Sequence, residues 1–198
     1  MKPLVARLGL GLVLSAAAAI VLVTVAVERE SDFAHEDLGG AGPGRALVLY
    51  HPSRDARFSD ELSSAVARGF RRAGLAVERA TLTTRTQARA DGYAIVAVVS
   101  NTYFWTPDRP TLRFLRRARF DAIPVIGLMG GAGATGRSER LLHEALGRTG
   151  ALSVETRSFW LWRPNDEARA EVPNREMAVE RAEAFAYEAA LAAASHDE

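Results

Sequence analysis

The chain has 198 residues, room for one ordinary domain of roughly 100–150 residues and little more. A hydrophobic share of 48 % with 25 % charged residues excludes a disordered tail, a collagen-like repeat and a polytopic membrane protein. Lys+Arg of 25 against Asp+Glu of 24 leaves a net charge of +1, so no nucleic acid partner is expected, and the lack of cysteine excludes disulfides, thiol catalysis and thiolate metal sites.

Residues 1–27 read as a membrane anchor or signal segment. The run from Leu8 to Val27 carries no charge, and at 1.5 Å per residue it spans about 30 Å, the hydrocarbon thickness of a bilayer. A cleaved signal peptide is the alternative, with Thr24 and Ala26 as the small residues before a cut. Signal cores usually run about 7–15 residues, which favours a retained single-pass anchor in a lipid bilayer. Lys2 and Arg7 precede the segment, whereas ERESDFAHED after it holds one base and five acids. That asymmetry points the N-terminus to the cytoplasm and the folded head outward. Residues 28–44, polar and then rich in Gly and Pro, are expected to be a flexible linker.

From 45 to 198 apolar runs alternate with helical periodicity. ALVLY at 46–50 suits a strand buried on both faces. In FSDELSSAVARGFRRAG the residues Phe58, Leu62, Ala65, Val66 and Phe70 recur at helical spacing, with Ser59 as the expected N-cap and Gly74 as the stop. A second strand is expected over 75–82, then a polar link at 83–92 with room for at most a turn or two of helix. YAIVAVVS at 93–100 is the third strand, followed by a basic helical stretch over 111–120. AIPVIGLMG at 122–130 is the fourth strand, SERLLHEALGRTG a helix, and ALSVETRSFWLW at 151–162 a fifth strand. An Ala-rich helix from Asn174 to Ala194 closes the chain. Its alanine excess leaves two readings open, a lid on the sheet or a surface for close self-association. Five apolar strands separated by helices imply a parallel sheet covered on both faces, with a ligand outside the strands' carboxyl ends at the topological switch point.

Two loops at those ends have unusual compositions. Thr102, Tyr103, Trp105 and their neighbours place three consecutive aromatics after the third strand, a surface on which a flat ring can stack. Gly130, Gly131, Ala132 and Gly133 after the fourth strand are nearly bare of side chains, so backbone N–H groups can approach a ligand closely. In this order of parts the head resembles the flavodoxin family over about 46–190. The specific pieces are YAIVAVVSNTYFWTPDRPTLRFL and AIPVIGLMGGAGATGRSERLL. Ser100, Thr102, Tyr103 and Pro107 fit the family's Ser/Thr-Pro-Thr-Tyr-type turn, and Asn101 replaces its usual proline. The resemblance implies an α/β, doubly wound, five-stranded parallel sheet of order 2-1-3-4-5 that holds FMN. It also implies electron transfer or NAD(P)H-dependent reduction, with a quinone or a redox partner protein as acceptor.

The first loop departs from the family. A Ser/Thr- and Gly-rich turn normally holds the FMN phosphate at a helix N-terminus. Here the chain offers His51-Pro52-Ser53-Arg54-Asp55-Ala56-Arg57-Phe58-Ser59. Ser53, Arg54 and Ser59 are the expected phosphate contacts, with Asp55 opposing them. That departure keeps a second expectation alive, a flavodoxin-like fold without FMN serving as a membrane-bound interaction or sensory module. Gly131, Gly133 and Gly136 also spell a dinucleotide fingerprint, but this normally opens the first strand–helix unit. Arg109, Arg113, Arg116, Arg117 and Arg119 form a basic run, read either as a solvated face or as a contact for anionic lipid or an acidic partner.

Overall fold

The computed structural model describes residues 31–52 and 55–195, with 11, 14–19, 21, 22, 25 and 29. Among the described residues no helix is long and apolar enough to cross a membrane. The transmembrane helix expected within 1–27 is not shown by the described residues, and half of the run 8–27 lies outside them. Ser53 and Arg54 lie outside them too.

The chain runs β1 (His35–Gly39), β2 (Arg45–Tyr50), α1 (Ala56–Arg72), β3 (Ala76–Thr81), β4 (Ile95–Tyr103) and β5 (Thr106–Pro107). It continues with α2 (Arg109–Leu115), β6 (Pro124–Gly131), α3 (Gly136–Gly147), β7 (Ser153–Trp160), a 3-10 turn at Glu167–Arg169, and α4 (Asn174–Ala194). The sheet order is β1-β3-β2-β4-β6-β7, with β5 paired only to β4. The strands β3, β2, β4, β6 and β7 are mutually parallel and stand in the expected 2-1-3-4-5 order.

The sheet nevertheless has seven strands rather than five, and both extra strands are antiparallel. The strand β1 arises inside the segment expected to be a flexible linker. It pairs with β3 from His35↔Ala80 to Gly39↔Val77. Its sequence HEDLG carries no apolar alternation, because an edge strand with mostly exposed side chains needs none. Polar contacts hold it instead: Arg79 donates to Glu36, and His35 lies 2.9 Å from Glu78. The strand β5 is the return arm of a tight hairpin on β4.

Alternation along β2 and β4 sorts the core into two layers. Ala46, Val48, Ala97 and Val99 face α1 and α4, among Leu62, Val66, Phe70 and Phe185. Leu47, Leu49, Val96 and Val98 face α2 and α3, among Phe114, Leu142 and Leu146. Each such buried Val, Leu or Phe side chain stabilises the fold by roughly 1.5–3 kcal/mol relative to leaving it in water.

Helix ends differ from expectation in instructive ways. The N-cap of α1 is Asp55, whose carboxylate accepts from Phe58 N, and not Ser59. The helix α2 stops at Leu115, short of the expected 120. The arginines beyond it serve the link 83–92, which forms turns without a helix. Arg117 donates to the carbonyls of Thr83 and Thr86, and the backbone of Arg119 donates to Ala88 O. The alanines of α4 are used within the chain: Ala178, Ala182, Ala186 and Ala190 are buried in the layer shared with α1.

Candidate functional site

The strands β4 and β6 end side by side, with Asn101 opposite Gly130, so the two unusual loops share one edge of the sheet. After Thr102 and Tyr103 the chain reverses in two residues and returns as Thr106 and Pro107. Both central residues have positive φ, 49° at Phe104 and 59° at Trp105. A two-residue hairpin turn of this kind normally uses Asn-Gly, because bulky side chains crowd the backbone there. The strain is on the order of 1–3 kcal/mol per residue. The turn also leaves Phe104 54 % and Trp105 58 % exposed. Strained backbone and two aromatics in water are both unfavourable, so the tip is maintained against the preferences of its own residues.

Across from it, Gly131 lies tightly against the hairpin base. A Cβ there would stand 2.6 Å from Thr135 Cγ2 and 3.2 Å from Thr102 Cβ. The hydroxyl of Thr102 is buried at this contact without a hydrogen-bond partner. Gly130 and Gly133 are less confined, with no neighbour closer than 3.4 Å and 3.8 Å to such a Cβ. The far side of the loop is tied to β7 and the residues after it. Leu161 N donates to Gly131 O and Trp162 N to Ala132 O, each at 3.0 Å. The Trp160 indole donates to Thr135 Oγ1 at 2.7 Å, and the Arg163 guanidinium lies 4.9 Å from its ring centre. Seven expected residues therefore meet at one edge: Thr102, Tyr103, Trp105, Gly130, Gly131, Ala132 and Gly133.

The first loop is organised differently from the expectation. Ser59 is fully buried, and its hydroxyl donates to Asn101 Oδ1 at 2.8 Å. The Asn101 amide donates in turn to His51 O at 2.8 Å. Asn101, the residue in place of the family's proline, thus joins the end of β2, the first turn of α1 and β4. Its own N–H donates to Asp108 Oδ2, which also takes the Ser100 hydroxyl, while Asp108 Oδ1 caps α2 through Thr111 N. His51, 1 % exposed, has Nδ1 3.4 Å from the Asp108 carboxylate and Nε2 3.3 Å from Arg29 O. The Asp55 carboxylate caps α1 and accepts from Arg175 at 2.9 Å.

These facts give a divided fit for FMN. At the ring end, the unpartnered Thr102 hydroxyl, the bare glycine backbone and the exposed indole of Trp105 match what a flat heterocycle needs. At the phosphate end, among the described residues, the opening turn of α1 already holds an anion of its own and Ser59 is committed to Asn101. Asp108, Thr135 and Trp160 organise this edge without having been expected there, and Asn101, expected only as the replacement of a proline, joins them. Asp108 had a legible signal, an acid two residues before a proline at a helix start.

The basic run divides as well. Arg117 and Arg119 are engaged with backbone carbonyls, Arg119 through Ala118 O. Arg116 and Arg119 join Arg148 at the rim of a groove of about 520 Å³ between α2 and α3, floored by Leu112, Leu115, Leu141 and Ala145.

No family model matches the sequence, and no curated protein matches it. Solved structures do. A flavodoxin from the domain Archaea is 12 % identical with a TM-score of 0.55, over 75 % of this chain and 98 % of its own. A WrbA-like flavodoxin from Agrobacterium tumefaciens is 15 % identical with a TM-score of 0.53, over 77 % and 99 %. An NAD(P)H:quinone oxidoreductase from Methanothermobacter marburgensis is 16 % identical with a TM-score of 0.53, over 75 % and 97 %. At such identities the likeness is one of architecture, and the head of this chain has the flavodoxin-like α/β fold with a mostly parallel sheet.

Proposed function

We propose that the protein is a flavodoxin-like redox protein that binds FMN, ring end foremost, at the edge formed by the β4–β5 hairpin and the glycine loop. The carrying observation is the strained, exposed Phe104–Trp105 tip beside the bare backbone of 130–133 at the sheet's carboxyl edge. Strain is retained where function requires it, and this edge is where open α/β sheets take their ligands. Tyr103 and Trp105 supply the stacking surface, Thr102 and the Gly131–Gly133 backbone the polar contacts. FMN, when bound, supplies one- and two-electron transfer. The protein's part is to orient the ring and limit its exposure to water. The NAD(P)H:quinone oxidoreductase among the structural neighbours supports a redox role with a quinone as acceptor, and a redox partner protein is the alternative acceptor. The uncharged run 8–27 supports a single-pass tether that holds the head near a membrane, on the outer side by its flanking charges.

A second reading, a module of this fold that works without FMN as a membrane-bound interaction or sensory unit, is favoured by one observation. The helix terminus that would neutralise a phosphate is capped by Asp55, and Asp55 is held by Arg175. Titration of the protein with FMN separates the two. Quenching of flavin fluorescence, with binding weakened by about 1–3 kcal/mol in Trp105→Ala, is expected for a stacked ring. No quenching rules out the FMN reading and leaves the second, and unchanged affinity in Trp105→Ala places the ring elsewhere.

A further inference from the structure

The connection between β3 and β4 forms turns without a helix, so one part of the sheet face is covered by loop alone. Beneath that loop lies a cleft of about 410 Å³, within the range of small-molecule sites. Its floor is Leu47, Leu49 and Ala80, alternate residues of two neighbouring strands. It lies on the face of α2 and α3, and Arg45, which begins β2, is among its lining residues. It is therefore separate from the carboxyl edge where the flavin reading places its ligand.

The cleft has a built polar end. Glu78, with 18 % of its side chain exposed, accepts from the Tyr93 hydroxyl at 2.7 Å, from Arg45, and shares a 2.9 Å contact with His35 Nε2. Arg45 stacks on the Tyr93 ring at 4.7 Å. The strand β1 supplies His35 and so completes the wall. The negative charge of Glu78 is thus answered from within, and Arg89 at the rim is answered by Asp91. Arg85 is different. Its guanidinium lies 5.2 Å from the Phe33 ring, and among the described residues no carboxylate pairs with it. An arginine with five donors, a preformed aromatic support and no anion, at the edge of an apolar floor, is suited to a carboxylate on a flat apolar body.

We propose that this cleft is a second ligand site, taking a small aromatic carboxylate whose ring lies at the Leu47 side of the floor and whose carboxylate pairs with Arg85. A neutral ligand of the same shape gains the floor but not the ion pair. An anion without the ring gains the ion pair but not the floor. The site needs both.

Calorimetric titration of the full chain with naphthalene-2-carboxylate tests this. Binding is expected with a dissociation constant on the order of 1 mM or tighter. Naphthalene-2-carboxamide and plain acetate are each expected to bind at least tenfold more weakly. Arg85→Gln is expected to lose at least tenfold in affinity for the carboxylate, and Arg85→Lys, which keeps the charge but not the planar fork, to lose less than Arg85→Gln, with melting temperatures unchanged in both. Arg116→Gln, on the α2–α3 groove, is expected to leave the affinity alone. The proposal is overturned by absence of binding to the wild type, by equal binding of carboxylate and carboxamide, by undiminished affinity in Arg85→Gln, or by an equal loss in Arg116→Gln.

Discussion

Single residues decide which parts of a familiar architecture this chain can still use. Asp55 is the sharpest case: a carboxylate at the helix N-terminus is favourable for α1 and unfavourable for any phosphate that would sit there. Asp55→Ser keeps a capping side chain and removes the charge. It is expected to tighten FMN by roughly threefold to tenfold, about 1 kcal/mol, and to leave riboflavin unchanged. Parallel titrations with the two flavins measure this, and an equal change for both would mean that Asp55 acts on the ring. Glu78 sets a pH dependence. Burial alone would raise its pKa, but hydrogen bonds from Arg45, Tyr93 and His35 outweigh that and hold it down at about 2. The folded value lies below the ordinary 4.5, so the stabilisation is present above pH 4.5 and lost as pH falls toward 2. Urea midpoints are expected to fall over that window in the wild type and to fall less in Glu78→Gln. Identical slopes would remove Glu78 from the cause.

Between elements, α1 and α4 approach closely at Gly69. A Cβ on Gly69 would stand 2.4 Å from Glu183 O and 2.9 Å from Ala186 Cβ. Helix propensity favours Ala over Gly by about 0.8–1 kcal/mol. The collision here is with backbone, which cannot swing aside, and overpacking costs about 1–3 kcal/mol. Gly69→Ala is therefore expected to destabilise by up to about 2 kcal/mol net. A raised melting temperature would show that the two helices can part without loss. The same contact explains why the alanine stripe was ambiguous in sequence. Small residues announce a close neighbour without saying whether it is another helix of the chain or another copy. Strands read from apolar runs came out within a few residues, because burial on both faces is written directly in composition. The strand β1 was illegible for the opposite reason: its pairing is made by backbone groups, which every sequence carries. At the candidate site, the aromatic and glycine loops were legible because their compositions are unfavourable anywhere else. The Asn101–Ser59–His51 linkage was not, since its partners lie 42 and 50 residues apart and only the parallel register brings them together.

For the molecule as a whole, a net charge of +1 hides a division between the two faces. On the side of α1 and α4, Arg68 and Arg72 pair with Glu183, Arg79 with Glu36 and Asp60, and Arg175 with Asp55 and Glu61. On the side of α2 and α3, among the described residues, Arg113, Arg116 and Arg148 have no carboxylate within salt-bridge range. Surface ion pairs are each weak, typically about 0–1 kcal/mol, but Arg175 joins two carboxylates on α1 to the start of α4 and lies 5.6 Å from the Phe58 ring. Neutralising it takes one cation from Asp55 and leaves Glu61 with Arg57 alone, whereas neutralising Arg148 relieves its repulsion with Arg116 and Arg119 across the groove. Arg175→Gln is accordingly expected to destabilise by about 1 kcal/mol and Arg148→Gln to be neutral or stabilising by a few tenths. High salt should narrow the gap between them as screening shortens to about 3 Å at 1 M. Denaturant midpoints of both variants at low and high salt decide the matter. Equal losses at both positions would mean that the two faces are not electrostatically distinct.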